Sequence, residues 1–129
     1  MIADADAWID YFERPSSRSG ELLEALIRNR RAALVGVVLA ELVRGARTGG
    51  RRRALHELLS GVPYLEMDRA AWDRAGRIAE GLDRRGTPIP LADVYIAALA
   101  IETGHEVLTR DRHFERVPGL RLHKSEVDA

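Results

Sequence analysis

The run Ala32-Ala33-Leu34-Val35-Gly36-Val37-Val38 is the stretch of sequence that decides the fold. It contains no polar side chain, and a continuous apolar run of this kind predicts a strand that is buried on both faces of a parallel sheet. A helix is predicted directly after it, over Leu39–Arg47. Because neighbouring parallel strands need long connections that are usually helical, this pairing indicates an α/β domain.

The same alternation of strands and helices extends in both directions along the chain. The other predicted elements are, in order, a strand at Met1–Ala3, helices at Ala7–Phe12 and Leu22–Ile27 (the second capped by Ser19), a helix at Arg51–Ser60 after a break at Gly49-Gly50, a strand at Val62–Met67, helices at Arg69–Arg85 and Leu91–Thr103, a strand at Glu106–Thr109, a helical turn at Asp111–Arg116 and a strand at Leu120–His123. This order predicts a three-layer α/β/α fold around a mostly parallel central sheet of about five strands.

Length and composition restrict the class of protein. The 129 residues suit a single domain, 1–129, in which 124–129 are expected to form a flexible tail. The chain has no cysteine, which excludes disulfides, thiolate metal sites and a thiol nucleophile. It shows neither a secretory signal nor an apolar run long enough to span a membrane, so we expect a cytoplasmic protein without a membrane partner.

Four acidic residues occupy the positions where an α/β sheet binds its ligands. Asp4 follows the first predicted strand and Asp111 the fourth, whereas Glu41 and Asp93 lie in the early turns of helices. In open α/β sheets, ligands bind beyond the carboxyl ends of the strands. We therefore expect these four carboxylates to lie near one another.

Each acid also has an ordinary explanation, as a helix cap, a turn residue or a solvated charge. That explanation is weaker for Asp93, which shares its helix face with Ile96 and Ala97, and for Glu41, which stacks over Val38. A carboxylate on an apolar face is costly unless it is paired or bound to a cation.

A divalent cation would resolve the repulsion among four gathered acids. Mg²⁺ is typically held by a few carboxylates together with water and phosphate oxygens. Such an ion lowers the pKa of bound water and neutralises charge that develops on a phosphodiester, so the protein need supply neither a base nor a covalent nucleophile. This chemistry favours a metal-dependent hydrolase.

Four segments resemble, in order, the motifs of PIN domains, and in particular of the VapC-type toxins of bacterial toxin–antitoxin pairs. Ile2–Phe12 resembles the opening of such a domain, and Val38–Gly45 its central Glu-Leu-x-x-Gly element. Leu91–Ala100 is similar to the third acidic motif and Leu108–Phe114 to the last. The resemblance spans almost the whole chain, with spacings appropriate to the family.

The resemblance implies an endoribonuclease that hydrolyses RNA phosphodiester bonds with Mg²⁺ or Mn²⁺, is held inactive by a cognate antitoxin and forms a homodimer. It implies that the catalytic metal ligands are Asp4, Glu41, Asp93 and Asp111, with Thr109 supporting the site through its hydroxyl. Asp6 departs from the family's usual Ser or Thr and adds an acid, and His113 stands where an acid is frequent. Arg44 and Arg110 are candidates to dock RNA phosphate, although an ordinary solvated arginine explains each of them equally well.

Two other functions are compatible with the pattern. One is a response-regulator-like phosphoreceiver, a binding module in which Asp68 would accept phosphate, with Thr109 and Lys124 after the following strands. Receivers use adjacent acids after the first strand, whereas Asp4 and Asp6 are separated by one residue. The other is a PIN nuclease that processes RNA and is not a toxin.

Overall fold

The computed structural model describes residues 1–123, so the predicted tail at 124–129 lies outside the described residues. The elements are strands β1 (Ile2–Ala3), β2 (Leu34–Val35), β3 (Tyr64–Leu65) and β4 (Val107–Leu108), helices α1 (Ala5–Glu13), α2 (Arg18–Arg28), α3 (Gly36–Gly45), α4 (Gly49–Leu59), α5 (Arg69–Arg84) and α6 (Leu91–Thr103), and a 3₁₀ helix at Arg112–Arg116. Strands thus alternate with pairs of helices, as the sequence predicts.

The strands form a parallel sheet in the order β3-β2-β1-β4. β1 pairs with β4, with Ala3 opposite Leu108, and β2 pairs with β3. A parallel bridge between Ile2 and Ala33 joins the two pairs. The strands that Asp4 and Asp111 follow, β1 and β4, are therefore neighbours in the sheet.

The helices cover both faces of this sheet. Connections between parallel strands are right-handed, which places α1–α4 on one face and α5 and α6 on the other. In agreement, α1 packs against α2 and α3, and α5 packs against α6. The predicted three-layer α/β/α class is confirmed. Within residues 1–123, each helix falls short of the length and apolar character that a membrane crossing requires.

The apolar run that predicts the central strand is buried, but the strand is shorter than expected. β2 covers Leu34–Val35, and α3 begins at Gly36 where the prediction began at Leu39. Val38 is helical and fully buried, because packing against the core outweighs the preference of valine for strands. A Cβ on Gly36 would lie 2.8 Å from the Tyr64 hydroxyl, so glycine lets the chain turn into α3 beside β3.

The predicted fifth strand is wrong in extent. Of Leu120–His123, Leu122 alone forms a parallel bridge, to Val107. The Val107 amide donates to the Arg121 carbonyl oxygen at 3.0 Å, and the His123 amide donates to the Val107 carbonyl oxygen at 2.9 Å. The chain therefore occupies the place of a fifth strand beside β4 without extending into one, and four strands are present in the part that the structure describes.

Helix boundaries differ from the predictions mainly at the N-termini. Ser17, and not Ser19, caps α2, since its hydroxyl accepts from the Gly20 amide at 3.0 Å. The expected break at Gly49-Gly50 is instead the first turn of α4, which Thr48 caps. α6 has the predicted bounds, Leu91–Thr103, and ends at Gly104, whose φ of 71° is favourable for glycine.

Candidate active site

The four predicted acids line one cavity of about 560 Å³ at the carboxyl edge of the sheet. Asp4 directly follows β1, Asp93 lies in the first turn of α6, Asp111 follows β4, and Glu41 lies on α3. Asp6 also lines the cavity. The structure thus brings together carboxylates that come from four separate parts of the chain.

Thr109 connects the acid after β1 with the acid after β4. Its hydroxyl donates to Asp4 Oδ2 and accepts from the Asp111 amide, the latter at 3.0 Å. The other oxygen of Asp4 accepts from the Ala7 amide at 3.0 Å, so Asp4 also caps α1. Asp4 is therefore a helix cap, as its ordinary explanation predicts. It also accepts a hydrogen bond from Thr109, which follows the neighbouring strand, and capping does not require this bond.

Burial is the main influence on the ionisation of Asp4. Only 4% of this residue is exposed, and desolvation raises the pKa of its carboxyl to about 6. The hydrogen bonds from Thr109 and Ala7 act in the opposite direction, whereas the charges of Asp6 and Asp111 raise the pKa further. The ionised form that a metal requires is thus disfavoured when no cation is present.

Asp93 and Glu41 are perturbed in the same direction. Desolvation raises the pKa of Asp93, His113 opposes this shift, and the charges of Asp111 and Asp6 add to it. Partial desolvation and then the charge of Asp93 raise the pKa of Glu41. Carboxyl groups whose pKa values are raised by burial and by neighbouring acids are typical of a functional site.

Glu41 differs from its predicted setting. The buried face of α3 carries Val38 and Leu42, whereas Glu41 is exposed at the rim of the cavity. The expectation that it lies on the apolar face is wrong, because the core covers Val38 and Leu42, whereas the adjacent side of α3, which carries Val37 and Glu41, faces the cavity. Glu41 nevertheless lines the cavity with the other acids.

Within residues 1–123, two groups of three side chains place possible ligand atoms within 4.8 Å of one another. One is Asp4, Asp6 and Asp111, and the other is Asp93, Asp111 and His113. Asp111 belongs to both, and its carboxylate caps no helix in the part of the chain that the structure describes. The donors are mostly carboxylate oxygens, which Mg²⁺ and Mn²⁺ prefer, so the residues fit a divalent cation.

His113 is a site residue that the sequence analysis did not assign. Its Nε2 lies 2.6 Å from Asp93 Oδ2 and 3.9 Å from Asp111 Oδ2, and its side chain is 22% exposed. The signal available in the sequence is its position two residues after Asp111. A periodicity argument does not reveal the contact, because Asp93 lies on a different element.

The two candidate arginines have different surroundings. Arg44 lines the acidic cavity. The Arg110 guanidinium instead lies 3.0 Å from Oδ2 of Asp10, a residue of α1 that is 1% exposed. Docking of RNA phosphate stays a prediction for both, with Arg44 the better placed.

The raised pKa of Asp4 predicts how the metal-free stability depends on pH. Between pH 4 and about 6 the folded state binds more protons than the unfolded state, so the free energy of unfolding falls as pH rises through this window. Asp4→Asn removes the buried charge. In chelator at neutral pH, we expect this variant to be more stable than the wild type by on the order of 1–3 kcal/mol, since the rise in pKa from 3.8 to about 6 corresponds to about 3 kcal/mol at most.

Thermal melting in chelator at several pH values measures this effect. Asp68→Asn is the matched control, because Asp68 is an exposed N-cap that accepts from the Ala71 amide at 2.9 Å. Asn caps about as well as Asp, so the control should change little. A loss of stability in Asp4→Asn at neutral pH would show that the ionised carboxylate of Asp4 stabilises the metal-free domain, which contradicts the cost assigned to its burial.

Comparison with known proteins agrees with this geometry. The model of the PIN domain family matches residues 1–120. Ribonuclease VapC11 of Mycobacterium tuberculosis is 29% identical over 119 residues, covering 89% of each chain. The tRNA(fMet)-specific endonuclease VapC of Salmonella typhimurium is 34% identical over 101 residues, covering 74% of this chain and 76% of the relative.

A solved structure shows the same architecture. The crystal structure of DNA-bound VapBC from Salmonella typhimurium matches with a TM-score of 0.80 and 28% identity, covering 95% of each chain. The family match includes all four acids and the paired strands β1 and β4. The chain therefore belongs to the PIN domain family.

Proposed function

We propose that this chain is a metal-dependent endoribonuclease that hydrolyses RNA phosphodiester bonds and acts as the toxin of a toxin–antitoxin pair. The observation that carries the proposal is the meeting of Asp4, Asp93 and Asp111 in one cavity at the carboxyl edge of a PIN-domain sheet. Relatives named as a ribonuclease and as an endonuclease support the assignment to RNA. The phosphoreceiver alternative is set aside, because the chain is a PIN domain and Asp68 is an exposed cap of α5.

Asp4, Asp93 and Asp111 would hold the ion, Mg²⁺ or Mn²⁺, with Glu41 completing the site or positioning the attacking water. When bound, the ion lowers the pKa of water and neutralises charge on the phosphodiester. Thr109 holds Oδ2 of Asp4 and so directs this carboxylate. Asp6, an acid where the family commonly has Ser or Thr, would add negative charge beside Asp4 and Asp111.

His113 and Arg44 have separate parts in this mechanism. His113 contacts Oδ2 of Asp93 and so orients this carboxylate, which would be one of the ligands of the ion. Arg44 would place its guanidinium against an RNA phosphate at the mouth of the cavity, where a planar fork suits two phosphate oxygens. The domain 1–129, the cytoplasmic location and the homodimer stay predictions within this proposal.

An apolar groove beside the acids gives the predicted antitoxin a place to bind. This cavity of about 390 Å³ lies among α1, α3 and α4 and is lined by Ile9, Phe12, Leu42 and Leu55. Ile9 and Phe12 are each 39% exposed and line the same groove, and contiguous exposed apolar surface of this kind often marks an interaction site. Glu41 lines both this groove and the acidic cavity. A partner with an apolar segment in the groove could therefore extend a basic side chain to the carboxylates.

Neutralising one central acid should abolish cleavage without unfolding the domain. Asp93→Asn removes a metal ligand while keeping the shape of the side chain, so we expect RNase activity to fall by about 100-fold or more. Asp73→Asn is the matched control, since Asp73 is an acid on α5 with 61% side-chain exposure. Activity on RNA with Mn²⁺, and circular dichroism of both variants, are the measurements.

The two variants should differ clearly in RNase activity. The control should cut RNA at the wild-type rate, and both should retain a native spectrum. If folded Asp93→Asn cuts RNA as fast as the wild type, the assignment of the site is wrong.

Truncating the groove should weaken binding of the antitoxin. A buried aromatic anchor often accounts for about 2 kcal/mol of binding energy, so Phe12→Ala should weaken the complex by roughly tenfold or more. Trp72→Ala is the control, because Trp72 is also exposed, at 45%, but lies on α5 against Tyr95. The partner to use is the product of the gene adjacent to that of this chain, with affinity and inhibition of RNase activity as readouts.

The wild type and the control should form a stable complex with suppressed activity. Equal affinities for all three proteins would mean that the groove is not the binding surface. A chain that is harmless when expressed alone and ignores the neighbouring gene product would instead favour a PIN nuclease that processes RNA.

A further inference from the structure

Asp10 is a buried carboxylate that the proposed mechanism does not use. It lies on α1, is 1% exposed and is not among the residues that line the acidic cavity. Two arginines meet it from different parts of the chain: Arg14 contacts Oδ1 at 2.5 Å, and Arg110 contacts Oδ2 at 3.0 Å. Asp10 therefore connects α1 with the loop after β4.

Stabilisation of α1 explains only one of these contacts. Arg14 is four residues from Asp10 on the same helix, where such pairs are common. Arg110 comes from the loop after β4 and adds nothing to the hydrogen bonding of the helix. Since a buried carboxylate is costly even when it is paired, an apolar residue would serve packing at least as well. The second contact requires another explanation.

Along the chain, Arg110 lies between two residues of the acidic site. On one side is Thr109, whose hydroxyl donates to Asp4, and on the other is Asp111, which belongs to both groups of possible metal ligands. Asp4 caps α1 and Asp10 lies within it, so the loop is attached to the same helix at two points. Together these contacts restrict the path of the backbone that presents Asp111.

We infer that the ion pair between Asp10 and Arg110 positions the loop so that Asp111 faces the other carboxylates. Asp10 and Arg110 are thus positioning residues, which act through Asp111 without touching the ion. This inference rests on the proposed metal-dependent function. It also gives Arg110 a role that differs from docking RNA phosphate, because its guanidinium lies 3.0 Å from Asp10 Oδ2, in an ion pair whose alignment is not that of a hydrogen bond.

The direction in which the affinity for the cation changes when Arg110 is replaced distinguishes a positioning role from a purely electrostatic one. Removing a positive side chain next to a cluster of acids should, by Coulomb's law alone, strengthen the binding of a cation. Loss of positioning should weaken it, because Asp111 is no longer held towards its neighbours. Residues that orient metal ligands typically contribute about 10- to 100-fold in affinity.

The test compares Arg110→Met with Arg14→Met in RNA-free protein. Each variant removes one positive charge and one contact of Asp10, but Arg110 alone belongs to the loop. Calorimetric titration with Mn²⁺ should show affinity weakened by about tenfold or more in Arg110→Met and changed by less than about twofold in Arg14→Met. The Arg110 side chain is 53% exposed, so its replacement should leave the domain folded, which circular dichroism checks.

A second variant tests whether the two residues act as a pair. The double variant Asp10→Asn/Arg110→Met should bind Mn²⁺ no more weakly than the weaker-binding of the two single variants. The reason is that the effects of mutating two residues of one interaction do not add. If the losses of Mn²⁺ affinity in the two single variants multiply in the double variant, the two residues act independently and the inference is overturned.

The remaining outcomes are also decisive. If Arg110→Met binds Mn²⁺ as tightly as the wild type and only the KM for RNA rises, Arg110 docks RNA and does not position the loop. Equal losses in both arginine variants would mean that Asp10 serves α1 alone. If the wild type binds no Mn²⁺, the proposed function fails and this inference fails with it.

Discussion

The parallel pairing of β1 with β4 is the constraint on which the acidic site depends. Ala3 lies opposite Leu108, and the Asp4 amide continues the ladder by donating to the Leu108 carbonyl oxygen at 3.1 Å. This register places Asp4 beside Thr109 at the end of both strands, where their side chains bond. A slip of one residue would turn every side chain of the strand to the other face of the sheet and separate the two residues.

The site is arranged at a cost to the stability of the metal-free domain. Asp4 is almost fully buried and its pKa is raised to about 6, so its ionised form is unfavourable near neutral pH. Asp93 and Glu41 have raised pKa values as well, mainly through burial, with the charges of Asp111 and Asp6 adding to the rise at Asp93 and the charges of Asp93 and Asp6 adding to it at Glu41. A divalent ion that binds only the folded state would offset this cost by mass action. In the proposed function, the same burial and crowding of carboxylates that weaken the metal-free protein therefore provide the affinity for metal.

The sequence predicts the parts of the structure that depend on local patterns. The bounds of α6 follow from an apolar segment between Pro90 and the left-handed Gly104. The four acids follow from their places after predicted strands or in the early turns of predicted helices. The start of α3 and the exposure of Glu41 are missed, because packing decides whether Val37 and Val38 are strand or helix. The contacts of His113 and Asp10 are missed, because their partners, Asp93 and Arg110, are distant in sequence. Contacts of that kind leave no periodic signal in a single sequence.

The most direct test of the central claim is the position of a bound ion. Crystals grown with Mn²⁺ can be measured at the manganese absorption edge, where the anomalous signal locates the metal independently of the surrounding density. We expect a peak in the acidic cavity with carboxylate oxygens of Asp4, Asp93 and Asp111 as ligands, at distances of about 2.0–2.3 Å. No peak at these residues with the metal in excess, or a peak elsewhere on the protein alone, would contradict the claim.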